Sequence, residues 1–286
     1  MSSPTSALHT LNPSRIRSLV WPREHGAWGL LLVPLVTGAW IGHPTEERVL
    51  HVVFFALAAL ALFCLRTPVE ACLEVSPLRP QTPSERKAIY VSIVSYASVA
   101  GAALFDLIWR VGAHTLLLLG AVAAAAFLAQ AVLRKMGRET RLNSQWIGAL
   151  ALTSTSAGAY VVACGRLDST ALVVWAANWL LAANQIHYVQ VRIHSARAAT
   201  RQEKFSRGQA FLLGEAFSVL LLAWAWREGW LPGFALLAFL PIFLRSVAWL
   251  FERSGRLEIH RLGISELVHA VTFGVLLIAG FHIHGG

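Results

Sequence analysis

The sequence predicts an all-α fold: a polytopic membrane protein of about nine transmembrane helices with its N-terminus in the cytoplasm. Three observations predict it. Of the 286 residues 56% are hydrophobic and 14% charged, against roughly 25% charged in a soluble globular domain. Too few charges remain to cover a water-facing surface, so a soluble enzyme, a disordered chain and a secreted disulfide scaffold are all excluded. The apolar residues fall into nine blocks, near 24–42, 49–66, 86–108, 112–133, 144–164, 170–191, 209–227, 230–250 and 263–282, and about 20 apolar residues are what a helix needs to cross a bilayer core. Finally, 20 of the 24 Lys and Arg gather at alternate block ends, leaving Arg48, Arg110, Arg166 and Arg227 on the other side. The positive-inside rule then puts the N-terminus and the even-numbered connections in the cytoplasm and the C-terminal end outside.

The net charge of +9 is thus the basic rim of a helical bundle. It is spread over five segments adjoining block ends with no binding motif, so no nucleic-acid partner is expected. Residues 1–20 read as a cytoplasmic tail without the apolar stretch of a cleavable signal peptide. Residues 21–284 read as a single transmembrane helical domain. Many of the eleven Trp, among them Trp21, Trp40, Trp109, Trp226 and Trp230, sit near block ends, as an interfacial belt does. The three cysteines, Cys64, Cys72 and Cys164, divide between the two sides and imply no disulfide framework.

The first block opens with Trp21-Pro22-Arg23-Glu24-His25-Gly26-Ala27-Trp28-Gly29. Glu24 and His25 lie four and three residues before Trp28, so the three share a helix face. They read as a proton-transfer or head-group site, or as an interfacial anchor. After the second block, Glu70 and Glu74 stack at a four-residue spacing that can hold a divalent cation, or they pair with Arg66 and Arg79. Thr82-Pro83-Ser84-Glu85 predicts a capping box at the start of the third block.

In the sixth block Asn184, His187, Tyr188 and Arg192 lie along one stripe ending near His194. Such a stripe suits an anionic head group, with Arg as the binder and His as the proton carrier, or simple inter-helix hydrogen bonding. Glu266 and His269 in the ninth block, with Glu215, Gln130, Asn143 and Gln145, complete a cytoplasmic-half polar set. Thr153-Ser154-Thr155-Ser156 reads as a packing seam. Histidines occur on both sides, but no pair has a spacing that singles out a haem or metal site, so no metal ligand is assigned and the cofactor is left open.

The motif Pro22–Gly29, with His187–His194 and Leu262-Gly263-Ile264-Ser265-Glu266, resembles the YwiC-like family of bacterial integral membrane proteins. That resemblance implies a multi-pass protein of the bacterial cytoplasmic (inner) membrane. Nine helices with polar clusters after the second and sixth, and Arg79-Pro80 after the first cluster, are more remotely similar to the UbiA-type intramembrane prenyltransferases. That similarity implies a UbiA-like bundle in which Asp-rich motifs at those two connections hold magnesium and the diphosphate of an isoprenoid. Here the chain departs from the family. It has two Asp, Asp106 and Asp168, both at outer-side positions, while Arg192 and His194 stand where acids are needed. Magnesium requires hard anionic oxygens, so the usual chemistry is not expected.

Together these readings point to a protein that binds or processes an isoprenoid- or quinone-like membrane lipid at a cytoplasmic-side cavity. Arg192 would bind the head, His25 or His187 would act as acid or base beside Glu24, and Glu70 would orient or neutralise. Trp28, Arg66, Glu74, Asn184, Tyr188, His194 and Glu266 would line the site. A rebuilt transferase without Asp-rich motifs and a pure binding protein both fit, and the oligomeric state is not specified. A secondary transporter and a haem- or metal-bearing membrane component are the alternatives.

Overall fold

The computed structural model describes residues 13–22, 25–73, 78–137, 140–196, 198, 200–252 and 258–285, and among them it contains helices and no strand. The helices are α1 (Pro13–Val20), α2 (His25–Ile41), α3 (Glu46–Cys72), α4 (Pro83–Phe105), α5 (Thr115–Met136), α6 (Arg141–Thr153), α7 (Thr155–Cys164), α8 (Ser169–Ser195), α9 (Arg201–Arg227), α10 (Leu240–Phe251) and α11 (Ile259–Gly285). A π-helical turn, Asp106–Arg110, follows α4, and a 3-10 segment, Gly233–Phe239, leads into α10. The chain divides into two compact units, Met1–Glu24 with Leu57–Asp106, and His25–Ala56 with Leu107–Gly286.

In the first unit α1, formed by residues expected in the tail, packs on α4. Leu19, Ala71 and Ile89 form its core, with Val20, Leu78 and Ile93 against them. Arg15 Nε donates to Glu85 Oε1 at 2.7 Å and Arg15 Nη2 to the Arg79 carbonyl at 3.1 Å. Glu85 also serves the expected capping box. Its N–H donates to Thr82 Oγ1 at 3.2 Å, while its Oε2 accepts from the Thr82 N–H at 3.4 Å and the Gln81 N–H at 2.6 Å. Orphan amides of the first helical turn are thereby satisfied.

The second unit is built around α7, which is buried from Ser156 to Ala163. α2 reaches it through glycines. A Cβ on Gly38 would overlap the Ser156 backbone, and one on Gly42 would stand 2.6 Å from Ala163 Cβ. Small residues let membrane helices approach this closely. The seam Thr153–Ser156 behaves as expected: Thr153 Oγ1 donates to the Ala149 carbonyl at 2.8 Å, Ser154 Oγ to Ala151 at 2.7 Å and Ser156 Oγ to Thr153 at 2.8 Å. Such back-bonding bends helices, and here α6 gives way to α7 at Ser154. Asn178 Nδ2 donates to Thr37 Oγ1 at 3.0 Å, tying α8 to α2. Gly280 of α11 lies against the backbone of Ala235 in the 3-10 segment.

Among the described residues seven helices are long and apolar enough to cross a membrane: Glu46–Cys72, Pro83–Arg110, Thr115–Met136, Arg141–Cys164, Arg201–Arg227, Gly233–Phe251 and Ile259–Ile283. Each of the nine apolar blocks of the sequence coincides with a helix, but two differ from these seven. The apolar part of α2, Gly26–Ile41, is shorter. α8 is long enough, but it carries Asn178, Asn184, Gln185 and His187 within its length. Outward side chains are large and apolar: Leu128 and Val132 on α5, Leu213, Phe217 and Leu220 on α9, and Val268, Val271 and Val275 on α11. Apolar surface on this scale has no place in water; this is a multi-pass membrane protein.

Candidate functional site

The expected site residues do not all gather. Glu24 and Glu74 lie outside the described residues, as does the side chain of His25, which begins α2. Trp28 is partly buried on α2. Arg66 and Glu70 belong to the first unit, where Arg66 Nε donates to Glu70 Oε1 at 2.8 Å across one turn of α3. The ion-pair reading of this segment is therefore the one the structure shows. Among the described residues no three His, Cys, Asp or Glu side chains stand together as a metal site needs.

The others belong to the second unit, where α8, α9, α10 and α11 share a polar network. Arg245 of α10 and Glu266 of α11 form an ion pair with side chains 7% and 11% exposed. Arg245 Nη2 donates to Asn184 Oδ1 on α8 at 2.6 Å. The Asn184 amide donates to Glu215 Oε1 on α9 at 2.5 Å, and Ser246 Oγ donates to the same oxygen at 2.9 Å. Gln185 Nε2 donates to the Glu266 carbonyl at 2.7 Å. The Arg245 guanidinium lies 3.9 Å from the centre of the Tyr188 ring, a cation–π contact that helps a desolvated cation. Three buried atoms of this network have no hydrogen-bond partner: Glu215 Oε2, Arg245 Nε and Glu266 Oε1.

An aromatic and cationic layer adjoins it. Tyr188, Val191, Phe211 and Trp249 make one buried cluster. Lys204 lies buried above Trp249, and its Nζ donates to the Trp249 and Glu252 carbonyls at the end of α10. A cation suits the carbonyl end of a helix. Arg192 pairs with Glu252, whose side chain is half exposed. His187 sits edge-on between Trp146 and Phe211, at 5.9 and 5.4 Å between ring centres. His194 is exposed, its Nδ1 2.7 Å from the Gln190 carbonyl.

The structure thus brings Asn184, Tyr188 and Glu266 into one network, with Arg192 and His187 beside it. Its cation is Arg245, which the sequence places among the basic residues that set topology, and its second carboxyl is Glu215, a member of the cytoplasmic-half polar set. The signal was present: an Arg within an apolar block is costly and demands a partner.

Residues 21–161 match the family model described as YwiC-like protein. This part of the chain is similar to the YwiC-like family. The YwiC-like residues include the Pro22–Gly29 motif and extend to Val161 of α7, so the network of α8–α11 lies beyond them. No curated protein and no solved structure matches the chain.

Proposed function

We propose that the chain crosses the bacterial inner membrane nine times, N-terminus inside, and that α8–α11 receive the polar head of an isoprenoid- or quinone-like lipid. The observation that carries this reading is the buried network with three unsatisfied atoms. Each such atom costs about 1–3 kcal/mol when nothing bonds it. Arg245 Nε–H is a donor, while Glu215 Oε2 and Glu266 Oε1 accept when ionised, so a head bearing both oxygen acceptors and hydroxyl donors complements the set. The apolar outer faces of α9 and α11 offer the tail a path within the bilayer. Arg245 replaces Arg192 as the buried cation of the site, since Arg192 is engaged with the exposed Glu252. With Glu70 held by Arg66, and two Asp in the whole sequence, a magnesium–diphosphate route finds no support.

Mass spectrometry of lipids extracted from the purified full-length protein tests this. An isoprenoid or quinone lipid enriched on the wild type and depleted at least tenfold on Asn184→Ala and Tyr188→Leu is expected. Equal lipid profiles for wild type and variants would overturn it. A secondary transporter is the second reading, favoured by one connected polar network across four helices, with ionisable groups on three of them. Substrate-specific flux in vesicles, lost in the same variants when they remain folded, would favour it.

A further inference from the structure

Glu215 is 9% exposed, and its two oxygens stand in different environments. Oε1 accepts two hydrogen bonds, from the Asn184 amide at 2.5 Å and Ser246 Oγ at 2.9 Å. Oε2 is buried and bonds to no described group. An ionised carboxylate shares its charge over both oxygens, and burying one of them bare forfeits its solvation. In a neutral carboxylic acid the oxygens differ: the carbonyl oxygen accepts strongly and the hydroxyl oxygen carries the proton. The pattern at Glu215 matches the acid, with Oε1 as carbonyl and Oε2 as hydroxyl.

The surrounding charges agree. The cation acting on Glu215 across the network is Arg245, and Arg245 is paired directly with Glu266. Glu215 itself meets Arg245 only through the neutral Asn184 amide. The groups facing the network from the other helices are His187, Tyr188 and Arg192 on α8, Ser246 on α10 with Glu252 at its end, and His269 with Glu266 on α11. Arg192 is spent on Glu252, and Lys204 of α9 on the carbonyl end of α10.

We infer that Glu215 binds one exchangeable proton on Oε2, forming an intramembrane acid–base site in which the Arg245–Glu266 ion pair, held off by Asn184, stays ionised. Loading is the bonding of one proton to the carboxylate, and unloading returns it to water or to an oxygen of a bound head. This deepens the head-group reading by supplying an acid for that head, but the proton is detectable with no lipid added.

Infrared difference spectroscopy of the full-length protein in phosphatidylcholine vesicles, compared across pH and in D2O, reads it. One C=O band of a protonated carboxyl in apolar surroundings is expected, shifting down in D2O. Glu215→Gln should abolish it and Glu266→Gln should keep it. Ser246→Ala, which removes one donor to Oε1 and leaves the fold's charges intact, should move it to higher frequency. A wild type with no such band, a band without a D2O shift, or a band retained in Glu215→Gln would overturn the inference. Failure of lipid enrichment with the band intact would remove the head-group reading alone.

Discussion

Arg245 and Glu266 pair across α10 and α11 with both side chains about nine-tenths buried, at 7% and 11% exposure. Desolvating two such ions costs several kcal/mol each, recovered only when geometry and further hydrogen bonds are good. The supports are visible: Asn184 takes one guanidinium N–H at 2.6 Å and the Tyr188 ring lies beneath the guanidinium at 3.9 Å. A pair so deeply placed is weak evidence for stability and better evidence for a fixed arrangement of helices around a polar site.

Breaking the pair one side at a time should therefore be worse than removing it. Arg245→Met strands the Glu266 carboxylate and should cost about 3–5 kcal/mol, while Arg245→Met with Glu266→Leu should recover most of that loss. Arg166→Ala, which deletes an ion pair 75% exposed on the Arg side, should leave the melting temperature nearly unchanged. Thermal unfolding of detergent-purified protein measures all three, and a double variant no more stable than Arg245→Met alone would contradict the expectation.

The approach of α2 to α7 gives a steric contrast. A Cβ on Gly38 would overlap the Ser156 backbone, whereas one on Gly101 in α4 meets nothing within 4 Å. Gly38→Ala has no side chain to displace, so the helices must separate, at a cost of about 1–3 kcal/mol or more. Gly101→Ala should be neutral or stabilise by up to about 1 kcal/mol, because it lowers unfolded-state entropy in a helix interior. Folded yield and melting temperature should fall for Gly38→Ala and hold or rise for Gly101→Ala.

Much of the fold was legible because a bilayer writes it coarsely. Apolar blocks of span length and the Thr82–Glu85 box each act within one helix, and each appears in the structure. The hydroxyl seam at Thr153–Ser156 was legible for the same reason. The site was less so. Spacing correctly joined Asn184 to Tyr188, since both lie on α8, but Glu215 and Arg245 reach them from other helices, and periodicity along one helix says nothing about which residue a neighbouring helix presents. The four-residue spacing of Glu70 and Glu74 suggested a cation site. The same spacing also sets Arg66 beside Glu70, and a charge already in the chain pairs more cheaply than one that must be recruited.

Whether α2 and α8 cross the membrane decides between nine spans and seven, and sidedness tests α8 directly. Cys72 is exposed at the end of α3, and Cys164 lies at the end of α7. Pro83–Arg110, Thr115–Met136 and Arg141–Cys164 run between them, an odd number of candidate spans. A membrane-impermeant maleimide applied to sealed vesicles of known orientation should therefore reach Cys72 and Cys164 from opposite faces. His194 is exposed one α8 length beyond Cys164. In a background lacking the native cysteines, His194→Cys should label from the face of Cys72, because α8 carries the chain back across. Labelling from the face of Cys164 would leave α8 on one side. The Asn184 network would then lie at the membrane surface, where a bare buried carboxyl oxygen has water within reach and no reason to keep its proton.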